Sequence, residues 1–207
     1  MSITKKPSNT GSGKLFENPI LEKLTHTPAQ FAISVFVVIS AGLLYYGFTR
    51  QLIGIVETIP LFMGGLLAFT LVEYVMHRFI FHMAPVTKLR EKVAYTMHGI
   101  HHEYPRDKGR IAMPVPLSLV ISTIFFGIYY ALMGNYTFAF LPGFLMGYAS
   151  YLGIHYMIHA MQPPKNFMKY LWVHHGTHHY KDPDHRFGVT SPLWDYVFGT
   201  MPPKEHS

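Results

Sequence analysis

The stretch PVPLSLVISTIFFGIYYALMGNYTFAFLPGFLMGYASYLGI, residues 114–154, decides what kind of molecule this is. It contains no Asp, Glu, Lys or Arg. A span of the hydrocarbon core takes about 20 apolar residues, so the stretch is long enough for two. Pro114 to Met133 fills the first, Asn135 marks a tight turn, and Tyr136 to Ile154 fills the second. Towards the N-terminus the same arrangement recurs. Phe31 to Phe48 is uncharged, Arg50 to Glu57 is a short break, and Thr58 to Met76 is apolar but for Pro60 near its start and Glu73 near its end. The expectation is an all-α membrane protein of four transmembrane helices in two hairpins, about 31–48, 58–76, 114–133 and 136–154.

Composition agrees. Apolar residues make up 49% of the 207, aromatic ones 15%, and charged ones 14%, against about 25% charged in a soluble chain. Cysteine is absent, which excludes disulfides, thiolate metal sites and iron–sulfur clusters. The net charge of +6 forms no basic face or run, so nucleic acid is not the expected partner. Met1 to Lys14 is polar and reads as a disordered leader. The remainder, 15–207, reads as a single integral-membrane domain. An Ile20, Leu21 and Leu24 stripe within 16–30, and Val86 to Met97 with its alternating apolar and basic residues, read as helices lying in the membrane interface.

Charge sets the expected orientation. Sixteen of the seventeen Lys and Arg lie before the first span, between the second and third, or after the fourth; Arg50 alone lies on the other side. By the positive-inside rule both termini and the long middle segment are then cytosolic, in a bacterial cytoplasmic membrane or the endoplasmic reticulum.

Eleven of the fourteen histidines follow the same sorting, in four clusters. These are His77-RFIF-His82, His98-GI-His101-His102, His155-YMI-His159 and His174-His175-GT-His178-His179. On a helix His175, His178 and His179 leave from one face at i, i+3 and i+4, converging on one point, and His98, His101 and His102 repeat the pattern. His155 and His159 share a face. His77 and His82 differ by about 140° on an ideal helix, so they serve different metals or flank a distortion. Taking His175 rather than His174, which is also i−4 to His178, gives ten ligands, enough for two five-coordinate ions. Imidazole suits iron, zinc, copper and nickel. Structural zinc closes with four ligands and has no redox chemistry, and hydrolytic pairs bridge their ions with carboxylates, which are scarce near these clusters. An all-nitrogen pair beside apolar spans points to oxidation of lipid. Histidines at span ends rather than inside the spans argue against a transporter and against haem.

HRFIFH, HGIHHEYPRD, HYMIHA, HHGTHH and the tail FGVTSPLWDYVFGT resemble the fatty acid hydroxylase/sterol desaturase superfamily, and within it the fatty acid 2-hydroxylases that act on sphingolipid acyl chains. The likeness runs from about Glu73 to Thr200 and includes PVPLSLVIS at 114–122. It implies a cytosolic helical cap holding two iron ions, with zinc able to take the same ligands in purified protein. The implied ligands are His77, His82, His98, His101, His102, His155, His159, His175, His178 and His179. The implied reaction is O₂-dependent hydroxylation of an acyl chain. No stretch resembles the fused cytochrome b5 domain of many eukaryotic members, so a separate cytochrome b5-like or ferredoxin-like donor is expected. A sterol methyl oxidase, a desaturase or a carotenoid hydroxylase shares the histidine pattern.

Other polar residues are open to two readings. Glu73 lies one turn before His77, placed either to orient that ring or to pair with a basic neighbour. Asp107 and Asp195 read as loop and cap residues. Asp182, Asp184 and His185 read as a solvated turn, with a lid over the metals as the alternative. His26 and His206 read as surface residues, and Trp172, Trp194, Tyr196 and Phe198 as an interfacial aromatic belt.

Overall fold

A computed structural model describes residues 6–202, and every regular element among them is helical. In chain order these are α1 (Pro19–Leu24), α2 (Ala29–Thr49), α3 (Ile55–Val75), α4 (Lys88–Ala94), α5 (Ile100–Glu103), α6 (Val115–Met133), α7 (Thr137–Ala160), α8 (Lys169–Tyr180) and α9 (Leu193–Val197). Side-chain caps start two of the short ones. Asn18 accepts from the Ile20 and Leu21 amides, and Thr87 accepts from Arg90, satisfying N–H groups that a helix cannot pair internally.

Ring pairs give the topology. Phe125 meets Phe144 at 4.9 Å and Tyr129 meets Phe140 at 4.8 Å, so α6 and α7 run antiparallel. Phe36–Tyr148 and Tyr46–Phe138 make α2 antiparallel to α7 as well. Gly65 lies against Phe140, and Phe69 lies against Phe144 and Gly147, so α3 is parallel to α7. Phe36, Phe69, Leu141, Phe144, Leu145 and Ala149 form the core where α2, α3 and α7 meet. The consequence for function is direct: α3 and α7 finish at the same end of the bundle.

Three stretches are long and apolar enough to cross a membrane: Ala29–Thr49, Ile55–Phe81 and Val115–Ala160. The third, of 46 residues, is folded back on itself at Gly134–Tyr136, where Gly134 has φ +56° and closes α6. Glycine adopts that conformation without the Cβ penalty. Val38, Val56, Ile59, Leu132 and other large apolar residues face outward along α2, α3 and α6, as they would against lipid rather than water.

The α3–α7 contact is backbone on backbone. A Cβ on Gly143 would lie 2.0 Å from the Phe62 carbonyl oxygen, and one on Gly65 2.1 Å from that of Phe140. Small residues permit this approach where apolar burial alone does not drive helices together. Gly143→Ala is expected to destabilise the protein by about 1–3 kcal/mol, since no flexible side chain can yield. Gly127→Ala on α6, with nothing near its Cβ, is the neutral control. Thermal unfolding of both in detergent checks this.

The N-terminal segment departs from expectation. Residues 1–5 of the expected leader lie outside the described residues; beyond them Ser8 donates its amide to the Glu103 carbonyl and Tyr180 donates to Asn9. The buried Arg110 guanidinium donates to Gly13 O, Thr25 Oγ1 and Glu22. Arg110 has too many donors to be buried without partners, and residues 8–25 supply them. Burial would raise the Glu22 carboxyl, but amides of Phe16 and Leu15, and then Arg110, hold it down at about 2. Within 16–30 only α1 is an interfacial candidate; Ile20, Leu21 and Leu24 are exposed on it. The 86–97 segment begins with the exposed Val86 and Leu89 but turns inward at Ala94.

Candidate metal centre

Two helix ends deliver the first histidines. α3 passes into a π-helical turn, Met76–Phe81, in which the His82 amide reaches back to the His77 carbonyl at 3.1 Å. The wider turn brings residues five apart onto one side, so His77 and His82 flank a distortion and face the same point. His155 and His159 leave α7 on its last two turns. A second π-helical turn, Tyr95–Gly99, carries His98 into α5, and α8 carries the last cluster.

The ten expected histidines assemble into two groups of five. His77, His82, His98, His102 and His178 form one; His101, His155, His159, His175 and His179 form the other. Within each, one ring nitrogen per residue lies within 4.8 Å of all the others. The convergence expected within each i, i+3, i+4 trio is not what forms. The second cluster sends His98 and His102 to one group and His101 to the other. Likewise His178 parts from His175 and His179. One helix turn is wide enough to touch both groups, so each cap helix bridges them; the rings of His102 and His179 stack across the divide at 4.0 Å.

His174 belongs to neither group. One position from His175 is about 100° around a helix, and its Nε2 points to Asp195 Oδ2 at 3.1 Å. Glu73 makes no hydrogen bond to His77. Its Oε1 accepts the amides of Val189 and Thr190, and its Oε2 accepts the Thr190 hydroxyl. His77 Nδ1 instead meets the Phe187 carbonyl at 2.5 Å, and His178 Nδ1 the His185 carbonyl at 2.7 Å. Of Asp182, Asp184 and His185, read as a solvated turn or a lid over the metals, Asp184 is exposed, while the backbone from His185 to Phe187 forms a wall of the centre. Asp195, read as a cap, is fully buried and accepts from the Phe187 and Gly188 amides, Thr200 and His174. Burial would raise its carboxyl, but these bonds, led by that from His174, hold it below the usual range. The lone acid in the apolar LWDYVFG was the available signal for this hub.

Of the remaining residues, Asp107 serves its loop, accepting from Gly109 and pairing with Arg110. Asp182 pairs with the His185 ring. His26 is exposed, and His206 lies outside the described residues. Trp194 donates to Thr70 and Phe198 stacks on Tyr74, which docks α9 on α3 rather than placing those two rings in a free belt.

The donor set fits metal. Burial, and after it the neighbouring imidazoles, holds His98, His102, His175, His178 and His179 well below the ordinary histidine range, with His101 at about 3 and His82 at about 2. The rings are neutral, the form that ligates. His77 and His178 give their Nδ1 protons to carbonyls, so their Nε2 lone pairs face inward. The Nε2 atoms of His77 and His98, His82 and His178, His101 and His155, and His175 and His179 lie 3.0–3.1 Å apart. Nitrogens held ~2.1 Å from one ion at right angles to each other are ~3.0 Å apart. Facing lone pairs at that distance repel unless a cation lies between them.

A cavity of about 450 Å³ adjoins the centre. His77 and His98 of one group and His101 and His155 of the other are on its wall, and from there it runs between α3, α6 and α7 past Leu117 and Ile121 to Phe125 and Phe144.

Residues 62–200 match the fatty acid hydroxylase family. The ceramide very long chain fatty acid hydroxylase scs7 of Schizosaccharomyces pombe is 36% identical over 200 residues, covering 94% of this chain and 56% of that protein. The fatty acid 2-hydroxylase of Mus musculus is 40% identical over 156 residues, 71% of this chain and 41% of that one. The chain thus spans about half the length of such relatives. A solved structure of scs7p, in which only the hydroxylase domain is visible, superposes with a TM-score of 0.85 at 32% identity, covering 95% of this chain and 74% of that one. The histidine order, the helical scaffold and these likenesses agree, and the chain belongs to the fatty acid hydroxylase family.

Proposed function

We propose that this protein is a membrane-bound hydroxylase of fatty acyl chains, acting at carbon 2 of a sphingolipid or related lipid. The observation that carries the reading is the cavity: a mainly apolar space walled in part by histidines of both groups. The relatives' names, ceramide and fatty acid hydroxylases, support the substrate class. Nothing in the site favours a sterol or carotenoid over an acyl chain.

The ten histidines would hold two iron ions, five to each. Bound iron would supply the redox chemistry by which O₂, two electrons and two protons convert a C–H bond to C–OH and release one water. The chain's own residues do the rest. Leu117, Ile121, Phe125 and Phe144 bind the tail and exclude water, so the methylenes nearest the histidines are the ones presented. Phe187 and His185 carbonyls keep ring protons away from the ligating nitrogens. The two electrons must be supplied by a reduced donor. The membrane is crossed by α2, α3, α6 and α7 as four spans, with both termini and the histidine cap in the cytosol; in the sequence every Lys and Arg but Arg50 lies outside the two hairpin turns, on the side of the histidine clusters.

Expression in a host lacking 2-hydroxylated lipid is expected to add one oxygen to acyl chains in lipid mass spectra, with fragmentation placing it on carbon 2. An unchanged lipid profile from a folded, iron-loaded protein supplied with a donor, or oxygen found only on sterols, would overturn the proposal.

A further inference from the structure

The geometry points to two inequivalent metal sites: the His77 group holds its ion tightly, and the His101 group exchanges its ion readily. This rests on the metal reading above and concerns what lies behind the ligands. In the His77 group two rings are fixed from outside, His77 by the Phe187 carbonyl and His178 by the His185 carbonyl. In the other group the Nδ1 atoms of His101, His155, His175 and His179 are buried with no hydrogen-bond partner among the described residues, against that of His102 alone in the His77 group. An outer hydrogen bond fixes a ligand's tautomer and ring orientation and raises its basicity; losing one lowers metal affinity by about 10–100-fold. Only one group has this support.

The support is itself built. Asp195 takes the amides of Phe187 and Gly188, one on each oxygen, and Glu73 takes those of Val189 and Thr190. Four consecutive amides are thus pinned by two buried carboxylates, which aim the intervening Phe187 carbonyl at His77. Asp195 is a positioning residue for the tight site. Asparagine there would turn an NH₂ against either the Phe187 or the Gly188 N–H, whichever way the amide lies, because each oxygen accepts one of them.

The test loads the full-length protein in detergent with Zn²⁺, adds EDTA, and follows metal per chain over time. Two phases are expected, with rates separated by about 10–100-fold. His101→Ala should lose the fast phase and His178→Ala the slow one. Asp195→Asn should accelerate the slow phase by about 10-fold or more and leave the fast phase as it was. Trp194→Phe, which removes the α9 bond to Thr70 but leaves the carboxylate, should keep both phases, showing that the effect is not loose docking of α9. Release in one phase, a slow phase lost in His101→Ala, or equal acceleration of both phases in Asp195→Asn would overturn the inequivalence alone. A protein that takes up no ion would overturn the metal centre itself.

Discussion

His178→Ala and His101→Ala are each expected to lower acyl-chain hydroxylation by about 10³-fold or more and to reduce bound metal from two ions per chain to one. The size follows from what an ion contributes to a redox site, several kcal/mol of transition-state stabilisation, at about 1.4 kcal/mol per tenfold in rate. Both variants should fall alike although the two residues sit in different groups, because the cavity touches both groups at once. Truncating one ring also leaves four neutral imidazoles around an enlarged gap, so partial occupancy is the expected intermediate rather than unfolding. His26→Ala, exposed and outside all four clusters, is the control and should match the wild type in both readouts. Metal analysis paired with turnover decides the matter. If either cluster variant kept two ions and normal turnover, the ligand assignment would be wrong.

The sequence carried the histidine identities but not their partition. Spacing of i, i+3 and i+4 says which rings share a helix face; it does not say that one face can serve two centres, as His98, His101 and His102 do. Backbone distortion was half legible. The five-residue gap between His77 and His82 demanded either two metals or an irregular turn, and hydrogen bonding to the His77 carbonyl chose the turn. Least legible was everything acting through the main chain. The Phe187 and His185 carbonyls have no residue-type signature, because any residue in that backbone conformation would serve. Asp195 reads as a cap, and Glu73 as a partner of His77 or of a basic neighbour, whereas both accept amides of the 187–190 loop, which lies more than a hundred positions from Glu73. The contacts of residues 8–25 were hidden for a similar reason. Up to Lys14 the residues are polar, as in a disordered leader, but the buried Arg110 nearly a hundred positions away needs their oxygens.

Ile121→Trp should make the enzyme discriminate against long acyl chains. Ile121 lines the cavity on α6 between Leu117 and Phe125, one turn from each. Those four residues from Ile121 to Phe125 rise ~6 Å along the helix axis, room for roughly four methylenes of an extended chain. An indole projecting from position 121 fills that depth. Each methylene denied burial forfeits ~0.8 kcal/mol, so a chain that reaches Phe125 loses ~3 kcal/mol. That corresponds to a fall in kcat/KM of about 200-fold, while a chain ending above Ile121 loses little. Ile124→Trp adds the same bulk on the exposed side of the same helix and should leave the preference as it was. Competition between long- and short-chain substrates, read by mass spectrometry of the hydroxylated products, measures the ratio without dependence on enzyme concentration. Equal losses for both lengths would mean that the substitution damages the bundle. An unchanged ratio would mean that the acyl tail takes another path, and the cavity between α3, α6 and α7 would no longer account for substrate binding.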